Sequence, residues 1–161
     1  MKTHFCNLLL YSFLSLLLGF KTSYGQKAED IDLASVTRMI EEKNQLYFTA
    51  IASHDVTAFE GQYLTDSWIM APNTPVYCGP GAAADYFNEV LLKSGIARGK
   101  FITIDLYGIR ADVVAEVGFY QFYNKSNEQF DDGKFIALWK NVDGQWKRHR
   151  QTFSSSRPGG I

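Results

Sequence analysis

The apolar positions in the first half of the chain recur at helical spacing. Between Glu29 and His54 they lie mostly three or four residues apart: Ile31, Val36, Met39, Ile40, Leu46, Tyr47, Ala50 and Ile51. This period predicts one long amphipathic helix over 29–54. Asp55 is placed to cap a short second helix over 56–60. A third helix is predicted over 82–93, because its apolar residues keep the helical step and a glycine follows its end.

The second half of the chain is rich in β-branched and aromatic residues, which favour strands. Four long strands are predicted there, over 101–109, 113–123, 130–139 and 145–153, and one earlier strand is predicted over 66–71. Asp143-Gly144, between the last two strands, is a strong signal for a tight hairpin turn. Helices followed by consecutive antiparallel strands predict an α+β fold.

Residues 1–25 have the composition of a cleaved signal peptide. Lys2 precedes an apolar stretch over 8–18, and the small residues Ser23 and Gly25 stand where a cleavage site requires them. The stretch is shorter than the roughly 20 apolar residues of a membrane-spanning helix. We therefore expect a secreted or periplasmic mature chain that starts at Gln26 and has no membrane contact after cleavage. Its length suits a single domain, predicted over 26–156, with a flexible tail over 157–161.

Charge and cysteine content exclude several classes of protein. The chain has 16 basic and 17 acidic residues, and two of the basic ones, Lys2 and Lys21, lie in the predicted signal peptide. A weakly acidic chain with scattered basic residues lacks the footprint of a nucleic-acid-binding protein, so we expect no nucleic-acid partner. Only Cys78 remains after cleavage, and an intrachain disulfide is therefore impossible. The mature histidines, His54 and His149, fit no metal-binding motif, and we expect neither a metal nor another cofactor.

The order of elements and several local motifs resemble the nuclear transport factor 2-like superfamily, whose fold is also called cystatin-like or SnoaL-like. The motifs are the end of the first helix at 47–55, Tyr63-Leu64-Thr65-Asp66, Gly79, the strand motif at 116–120, and a closing hairpin formed by 133–140 and 144–150. The resemblance implies a curved antiparallel sheet wrapped around the long N-terminal helix, with a pocket between them. It also implies a homodimer formed through the sheet, as is common in this superfamily.

Strand alternation selects the residues that would face such a pocket. Glu116, Tyr120 and Phe122 share one face of their strand, and the last strand places His149, Gln151 and Phe153 on one face, opposite Arg148. The resemblance to ketosteroid-isomerase members implies that these faces line the pocket, together with Trp139 and a tyrosine from the long helix. The candidate ligand-binding residues are Tyr47, Glu116, Tyr120, Phe122, Trp139, His149, Gln151 and Phe153.

Three of these residues have side chains suited to proton transfer. A glutamate beside an imidazole in an apolar cavity can act as a general acid–base pair, so Glu116, His149 and Tyr47 are the catalytic candidates if the protein is an enzyme. The alternative is a structural pair that only satisfies buried polarity. Relative to the isomerases, Ala71 and Trp139 stand where two acidic groups are required, so ketosteroid isomerisation is not supported. Gln151 stands where related exported proteins often have an aspartate, and it cannot act as a base.

Three functions therefore remain open. The first is an exported domain that binds a small, partly apolar molecule in an aromatic-walled pocket. The second is an isomerase- or cyclase-like enzyme that uses the candidate acid–base residues. The third is a dimeric assembly module whose interior is filled by Trp139, Phe122 and Phe153, and whose outer sheet face is apolar. Gly118 leaves two interpretations open as well: it gives a ligand room, or it lets the sheet bend.

Overall fold

The computed structural model of the chain describes residues 32–110 and 112–159. The predicted signal peptide, 1–25, lies outside this range. Three α-helices are present in the described part: α1 (Leu33–Ser53), α2 (Val56–Glu60) and α3 (Ala82–Glu89), the last followed by a 3-10 turn at Leu91–Lys93. Among the described residues, no helix is both long enough and apolar enough to cross a membrane.

Within the described residues, six strands form one sheet. They are β1 (Tyr63–Met70), β2 (Tyr77–Cys78), β3 (Arg98–Arg110), β4 (Val113–Tyr123), β5 (Gln129–Val142) and β6 (Gln145–Ser155). The α+β class and the order of elements are as the sequence predicts. The predicted bounds of β4 agree with the structure, and β3, β5 and β6 extend beyond their predicted bounds. β1 starts three residues before its predicted start and ends one residue before its predicted end. The two-residue strand β2 was not predicted, because two residues are too few to show a period.

The sheet has the order β2-β1-β6-β5-β4-β3 and is mixed rather than wholly antiparallel. β1 runs parallel to β6, and every other neighbouring pair is antiparallel. The parallel pairing arises because the chain passes through α3 and three long strands before β6 returns beside β1. Four of the five strand pairings are therefore antiparallel, as the sequence predicts, and the β1–β6 pairing is parallel.

The long helix α1 begins and ends at side chains and dihedral angles that suit helix termini. Asp32 caps its start, where the carboxylate Oδ1 accepts a hydrogen bond from the Ala34 N–H at 3.2 Å. His54 ends it in the left-handed region, with φ 56°. The predicted role of Asp55 is confirmed, because its Oδ1 accepts a hydrogen bond from the Ala58 N–H at 2.9 Å at the start of α2.

One face of α1 packs against the concave side of the sheet and forms the core. Its buried residues are Val36, Ile40, Asn44, Tyr47, Phe48, Ala50 and Ile51. All but one are apolar, as the helical period predicts, and burying a large apolar side chain contributes about 1.5–3 kcal/mol. The exception is Asn44, a polar residue in the middle of the apolar stripe. Its position inside the cone requires hydrogen-bonding partners from the sheet.

The predicted hairpin between β5 and β6 has the geometry of a tight turn. Val142 pairs with Gln145, so two residues connect the strands. Asp143 and Gly144 have φ values of 53° and 78°, which are the left-handed angles that a type I′ turn requires. This turn fixes which residues of β5 and β6 pair with each other. It thereby places β6 where its residues can contact α1.

Candidate functional site

All predicted site residues except His149 lie inside the cone formed by α1 and the sheet. Tyr47, Glu116, Tyr120 and Trp139 have no exposed surface, and Gln151 has 1%. Phe122 and Phe153 are also buried. The alternation of strand faces therefore predicts the interior side of β4 and β5 well.

The prediction for His149 is wrong, because β6 contains an irregularity at that residue. Leu138 of β5 pairs with Arg150, whereas the next residue, Trp139, pairs with Arg148, so His149 is an extra residue with no partner on β5. Such a bulge breaks the alternation of faces. It leaves the His149 ring half-buried beside the exposed Asp66, with Nε2 3.1 Å from Oδ2 of that carboxylate. This contact lowers the pKa of the Asp66 carboxyl.

The same bulge points Arg148 into the cone, although strand alternation predicts that it faces away. The guanidinium is fully buried and donates to two amide oxygens, from Nη1 to Gln62 Oε1 at 2.9 Å and from Nη2 to Asn44 Oδ1 at 2.7 Å. It also lies over the ring of Trp139, with Cζ 4.3 Å from the ring centroid. Its Nε has no hydrogen-bond partner among the residues that the structure describes. A buried cation therefore stands where the sequence predicted an imidazole.

Glu116 is held by three hydrogen-bond donors, none of them from His149. The Asn44 amide and the Thr103 hydroxyl donate to Oε1 at 2.7 and 2.6 Å. The indole Nε1–H of Trp139 donates to Oε2 at 2.8 Å. Both carboxylate oxygens are thus satisfied by neutral groups, so the structure lacks the purely structural Glu116–His149 pair as well. The acid–base pair of Glu116 and His149 is not formed.

Tyr47 and Gln151 each have a buried polar atom without a hydrogen-bond partner. The Tyr47 hydroxyl approaches Tyr63 and Tyr86 without reaching hydrogen-bond geometry, and burial raises its pKa well above the ordinary value, with Tyr86 and Tyr63 adding to the effect. Gln151 Oε1 accepts a hydrogen bond from the Tyr63 hydroxyl at 2.5 Å, while its Nε2 has no acceptor. These groups are packed inside the core.

Aromatic rings occupy the interior in which the ligand was expected. The rings of Tyr120 and Phe122 stack with centroids 4.4 Å apart, and Phe153 lies edge-on to Tyr120 at 5.7 Å. The Tyr120 hydroxyl donates to buried Asp131 at 3.1 Å, and burial together with this carboxylate raises the Tyr120 pKa. The predicted aromatic residues are therefore mutual packing partners.

Gly118 is required by close packing. A Cβ built on this residue would lie 2.7 Å from Cε1 of Phe135 and closer still to the carbonyl oxygen of Ile102. Neither neighbour is a ligand, and the second is backbone that cannot move aside cheaply. Of the two interpretations of Gly118, the structure supports the one that concerns the sheet. The glycine is required by contacts with a neighbouring strand and an aromatic ring.

A ligand-sized cleft is present elsewhere, at the side of the cone between α1 and β3. Its volume is about 540 Å³. The residues that line it are Glu41, Asn44, Gln45, Phe48, Gly99, Lys100, Phe101, Ile102 and Thr103. None of the eight predicted ligand-binding residues is among them. Phe48 and Phe101 provide an aromatic wall, with ring centroids 4.9 Å apart. The side chains of Asn44, Gln45 and Thr103 form a polar part of the lining.

The cleft and the buried network share two residues. Asn44 and Thr103 line the cleft, and both donate to the same oxygen of Glu116. A signal for Asn44 was present in the sequence, because it interrupts the apolar stripe of α1 at helical spacing. Thr103 and Gly99 gave no such signal, since their contacts depend on how β3 curves past α1.

Within the described ranges, no group of three or more His, Cys, Asp or Glu side chains is arranged to hold a metal ion. Cys78 is a free, exposed thiol on β2.

Comparisons with known proteins define the class of fold. No family model matches the sequence, and no curated protein matches it. A ketosteroid isomerase-like protein from Erwinia carotovora atroseptica has a TM-score of 0.61 and 20% identity, over 75% of this chain and 96% of that chain. A cystatin-like protein of unknown function from Nostoc punctiforme has a TM-score of 0.65 and 13% identity, over 79% and 95% of the two chains. A nuclear transport factor 2-like superfamily protein from Salmonella enterica has a TM-score of 0.60 and 12% identity, over 80% and 96%.

The chain has the nuclear transport factor 2-like fold, also described as cystatin-like, and the resemblance drawn from its motifs is confirmed at the level of the fold. Solved structures with this fold include an isomerase-like protein and proteins of unknown function. That range is consistent with a ligand-binding or an enzyme-like role, and the choice between them depends on the site.

Proposed function

We propose that the protein is an exported domain that binds a small, partly apolar molecule in the cleft between α1 and β3. The cleft itself is the observation that carries this proposal: its volume of about 540 Å³ lies in the usual range for ligand pockets. Its aromatic wall, Phe48 and Phe101, suits an apolar group, and the exposed amide of Gln45 offers hydrogen bonds that orient a ligand. The site differs from the predicted one, whose residues pack against each other.

The charges around the cleft suit a molecule that is not purely apolar. Glu41 stands on the helix side and Lys100 on the strand side, and both are among its lining residues. A ligand with one apolar group and polar ends can therefore use both walls. The proposal needs neither a metal nor a cofactor.

The binding proposal is tested by native mass spectrometry of the mature protein purified from its own host. We expect a co-purifying small molecule that is lost in Gln45→Trp, because the new ring occupies the cleft. The matched control is Glu42→Trp. Glu42 is exposed on the same helix, three residues before Gln45, and does not line the cleft. A molecule retained equally by both variants, or no bound molecule in the wild-type protein, contradicts the proposal.

Export is the second part of the proposal, and the composition of residues 1–25 supports it. Amino-terminal sequencing of the protein recovered from the periplasm or the medium is expected to give a chain that starts at Gln26. An intact amino terminus on protein found only in the cytosol contradicts export without affecting the proposed binding site.

A second candidate function is a homodimeric assembly module, and the outer face of the sheet favours it. Ile102, Phe119 and Ile136 are exposed by 36%, 46% and 44%. Phe119 pairs with Ile102 on one side and Lys134 on the other, and Val117 pairs with Ile136, so these side chains share one face of the sheet. An exposed apolar patch of adjacent strands is typical of a protein–protein interface.

A second copy of the chain is the partner that fits this patch. Lys134 and Asp105 are both exposed and belong to the same face, because each pairs with an outward residue of β4. A two-fold interface places such opposite charges against each other. We expect a dimer in sedimentation experiments that dissociates in Phe119→Lys/Ile136→Lys but persists in Leu92→Lys, an exposed apolar residue away from the sheet. A wild-type monomer contradicts the assembly proposal.

A proton-transfer enzyme based on Glu116, His149 and Tyr47 is not favoured. His149 contacts Asp66 at the surface, and Glu116 is bonded to three neutral donors inside the cone. The three residues therefore do not share one cavity.

A further inference from the structure

The cleft runs along the edge of the sheet. Residues 99 to 103 of β3 all line it, although successive residues of a strand point to opposite faces. A groove that touches five consecutive residues must therefore follow the strand's edge, where the backbone N–H and C=O groups are. Among the described strands, β3 lies at the end of the order and pairs only with β4. Its outer edge is thus an open row of hydrogen-bonding groups.

The part of this edge that lines the cleft is also its regular part. From Arg98 to Thr103 the pairing with β4 proceeds one residue at a time. The register then shifts between Thr103 and Asp105, and again between Tyr107 and Arg110. Irregularities of this kind twist an edge away from further pairing. Only the segment 98–103 is therefore suited to accept another strand.

The opposite wall of the cleft is a helix. Glu41, Asn44, Gln45 and Phe48 lie on one side of α1, three or four residues apart, and face the edge of β3. A groove between an open strand edge and a helix binds extended peptides, whose backbone adds a strand while alternate side chains enter pockets. The apolar wall of Phe48 and Phe101 fits one such side chain, and the carboxylate of Glu41 fits a basic one.

We propose that the ligand of this cleft is a short peptide in an extended conformation, which pairs with residues 98–103 of β3. This inference rests on the proposed binding function and specifies its ligand class. A free peptide can add to this edge of β3 as a single strand. A second copy of β3 does not fit in the same way, because it is attached to its own sheet and flanked by its own α1. The peptide is expected to carry an apolar residue, a basic residue that meets Glu41 and an acidic residue that meets Lys100.

The first test measures binding of a pool of N-acetylated, C-amidated hexapeptides to the mature protein by isothermal titration calorimetry. The best binder is then N-methylated on alternate residues, at positions 2 and 4 or at positions 3 and 5. Because alternate N–H groups of a strand face the same neighbour, one pattern should weaken binding by about tenfold or more and the other by no more than about twofold. Equal losses in both patterns, or no loss in either, overturn the proposal.

The second test locates the peptide in the cleft. Glu41→Lys is expected to weaken the binding of a basic hexapeptide by at least about fivefold, by replacing attraction with repulsion. The matched control Glu42→Lys, which makes the same change on an exposed residue outside the cleft, is expected to change affinity by less than about twofold. Equal effects of the two variants overturn this location.

The outcomes separate the two proposals. A non-peptide molecule whose binding is abolished by Gln45→Trp leaves the proposed function in place and overturns the peptide class. If Gln45→Trp abolishes the binding of no ligand at all, both the proposed binding function and the peptide proposal are contradicted. A dimer that dissociates in Gln45→Trp overturns the peptide proposal in favour of a second copy at the edge.

Discussion

Glu116 and Arg148 are connected through Asn44 and not through a direct ion pair. The Asn44 amide donates to Glu116 Oε1 at 2.7 Å, and its carbonyl oxygen accepts from Arg148 Nη2 at 2.7 Å. Both charged groups have no exposed surface. Because a buried charge is stable only when its hydrogen-bonding partners are in place, the centre of the cone depends on one amide side chain.

Glu116→Gln is expected to lower the free energy of unfolding by about 3 kcal/mol. The change removes the negative charge that offsets the buried cation of Arg148. It also places an amide N–H opposite side chains that are themselves hydrogen-bond donors. Urea denaturation measures the loss. Glu42→Gln, an exposed substitution on α1, serves as the control and should change stability by less than about 0.5 kcal/mol. Equal stabilities of the two variants would show that the network contributes little.

Substitutions at neighbouring positions of β6 test the bulge. Arg148→Ala should destabilise the protein by about 3 kcal/mol or more, because it leaves buried Glu116 without a compensating cation. His149→Ala should cost less than about 1 kcal/mol, because it removes only a surface contact with Asp66. Thermal unfolding of the two variants measures the difference. The reverse order would mean that β6 alternates regularly and that His149 points inward.

The fold could be predicted because the sequence repeats its signals over long stretches. The stripe from Val36 to Ile51 fixes the helix face, and Asp143-Gly144 fixes a hairpin register. The inner faces of β4 and β5 follow from alternation alone. The bounds of β3 and β5 were less predictable, since polar residues such as Arg98 and Gln129 extend them through pairing with β4 rather than through their own preferences.

The site could be predicted only in part, because a single extra residue in β6 changes which side chains enter the cone. Nothing in the run Lys147-Arg148-His149-Arg150 marks the bulge, whose position is set by how β6 pairs with β5 and β1. Alternation therefore predicted an imidazole inside and a guanidinium outside, and the structure has the opposite. A pocket between the helix and the sheet was expected, but its lining was out of reach, because it depends on the separation between α1 and the edge of β3.

Gly118→Ala is expected to destabilise the protein by about 1–3 kcal/mol. The added Cβ would overlap the Ile102 carbonyl oxygen and the Phe135 ring. Gly61→Ala is the comparison, because its nearest contact, at 3.3 Å, is tight but longer than both contacts named at Gly118, and its φ of −57° suits alanine. Chemical denaturation compares the two. A Gly118→Ala variant as stable as wild type would show open space at this position and would restore the interpretation in which a ligand approaches it.

Tyr47→Phe and Tyr63→Phe are expected to change the free energy of unfolding by different amounts or in opposite directions, although both hydroxyls are buried. Removing the Tyr47 hydroxyl, which has no hydrogen-bond partner, should leave stability unchanged or raise it by up to about 1 kcal/mol. Removing the Tyr63 hydroxyl deprives the Gln151 amide of its partner and should cost about 1–2 kcal/mol. Equilibrium unfolding gives both values. A large loss in Tyr47→Phe would indicate that its hydroxyl is bonded in solution.

Alkaline pH is expected to destabilise the protein through its buried phenols. Burial raises the pKa of Tyr47, Tyr63 and Tyr86 above the ordinary value, so the native state keeps these protons where the unfolded chain releases them. Their contribution to stability is complete below about pH 10, the pKa of an unfolded tyrosine, and is lost as pH rises towards the native-state values. Urea denaturation at increasing pH measures the decline, and it should be shallower in Tyr86→Phe, which has one fewer such phenol. These three tyrosines should ionise only as the protein unfolds, so their phenolates should appear together with the loss of the far-ultraviolet circular dichroism signal. If all tyrosines ionise near pH 10 while that signal persists, the three hydroxyls are exposed to solvent and the packing of the cone differs from the one described.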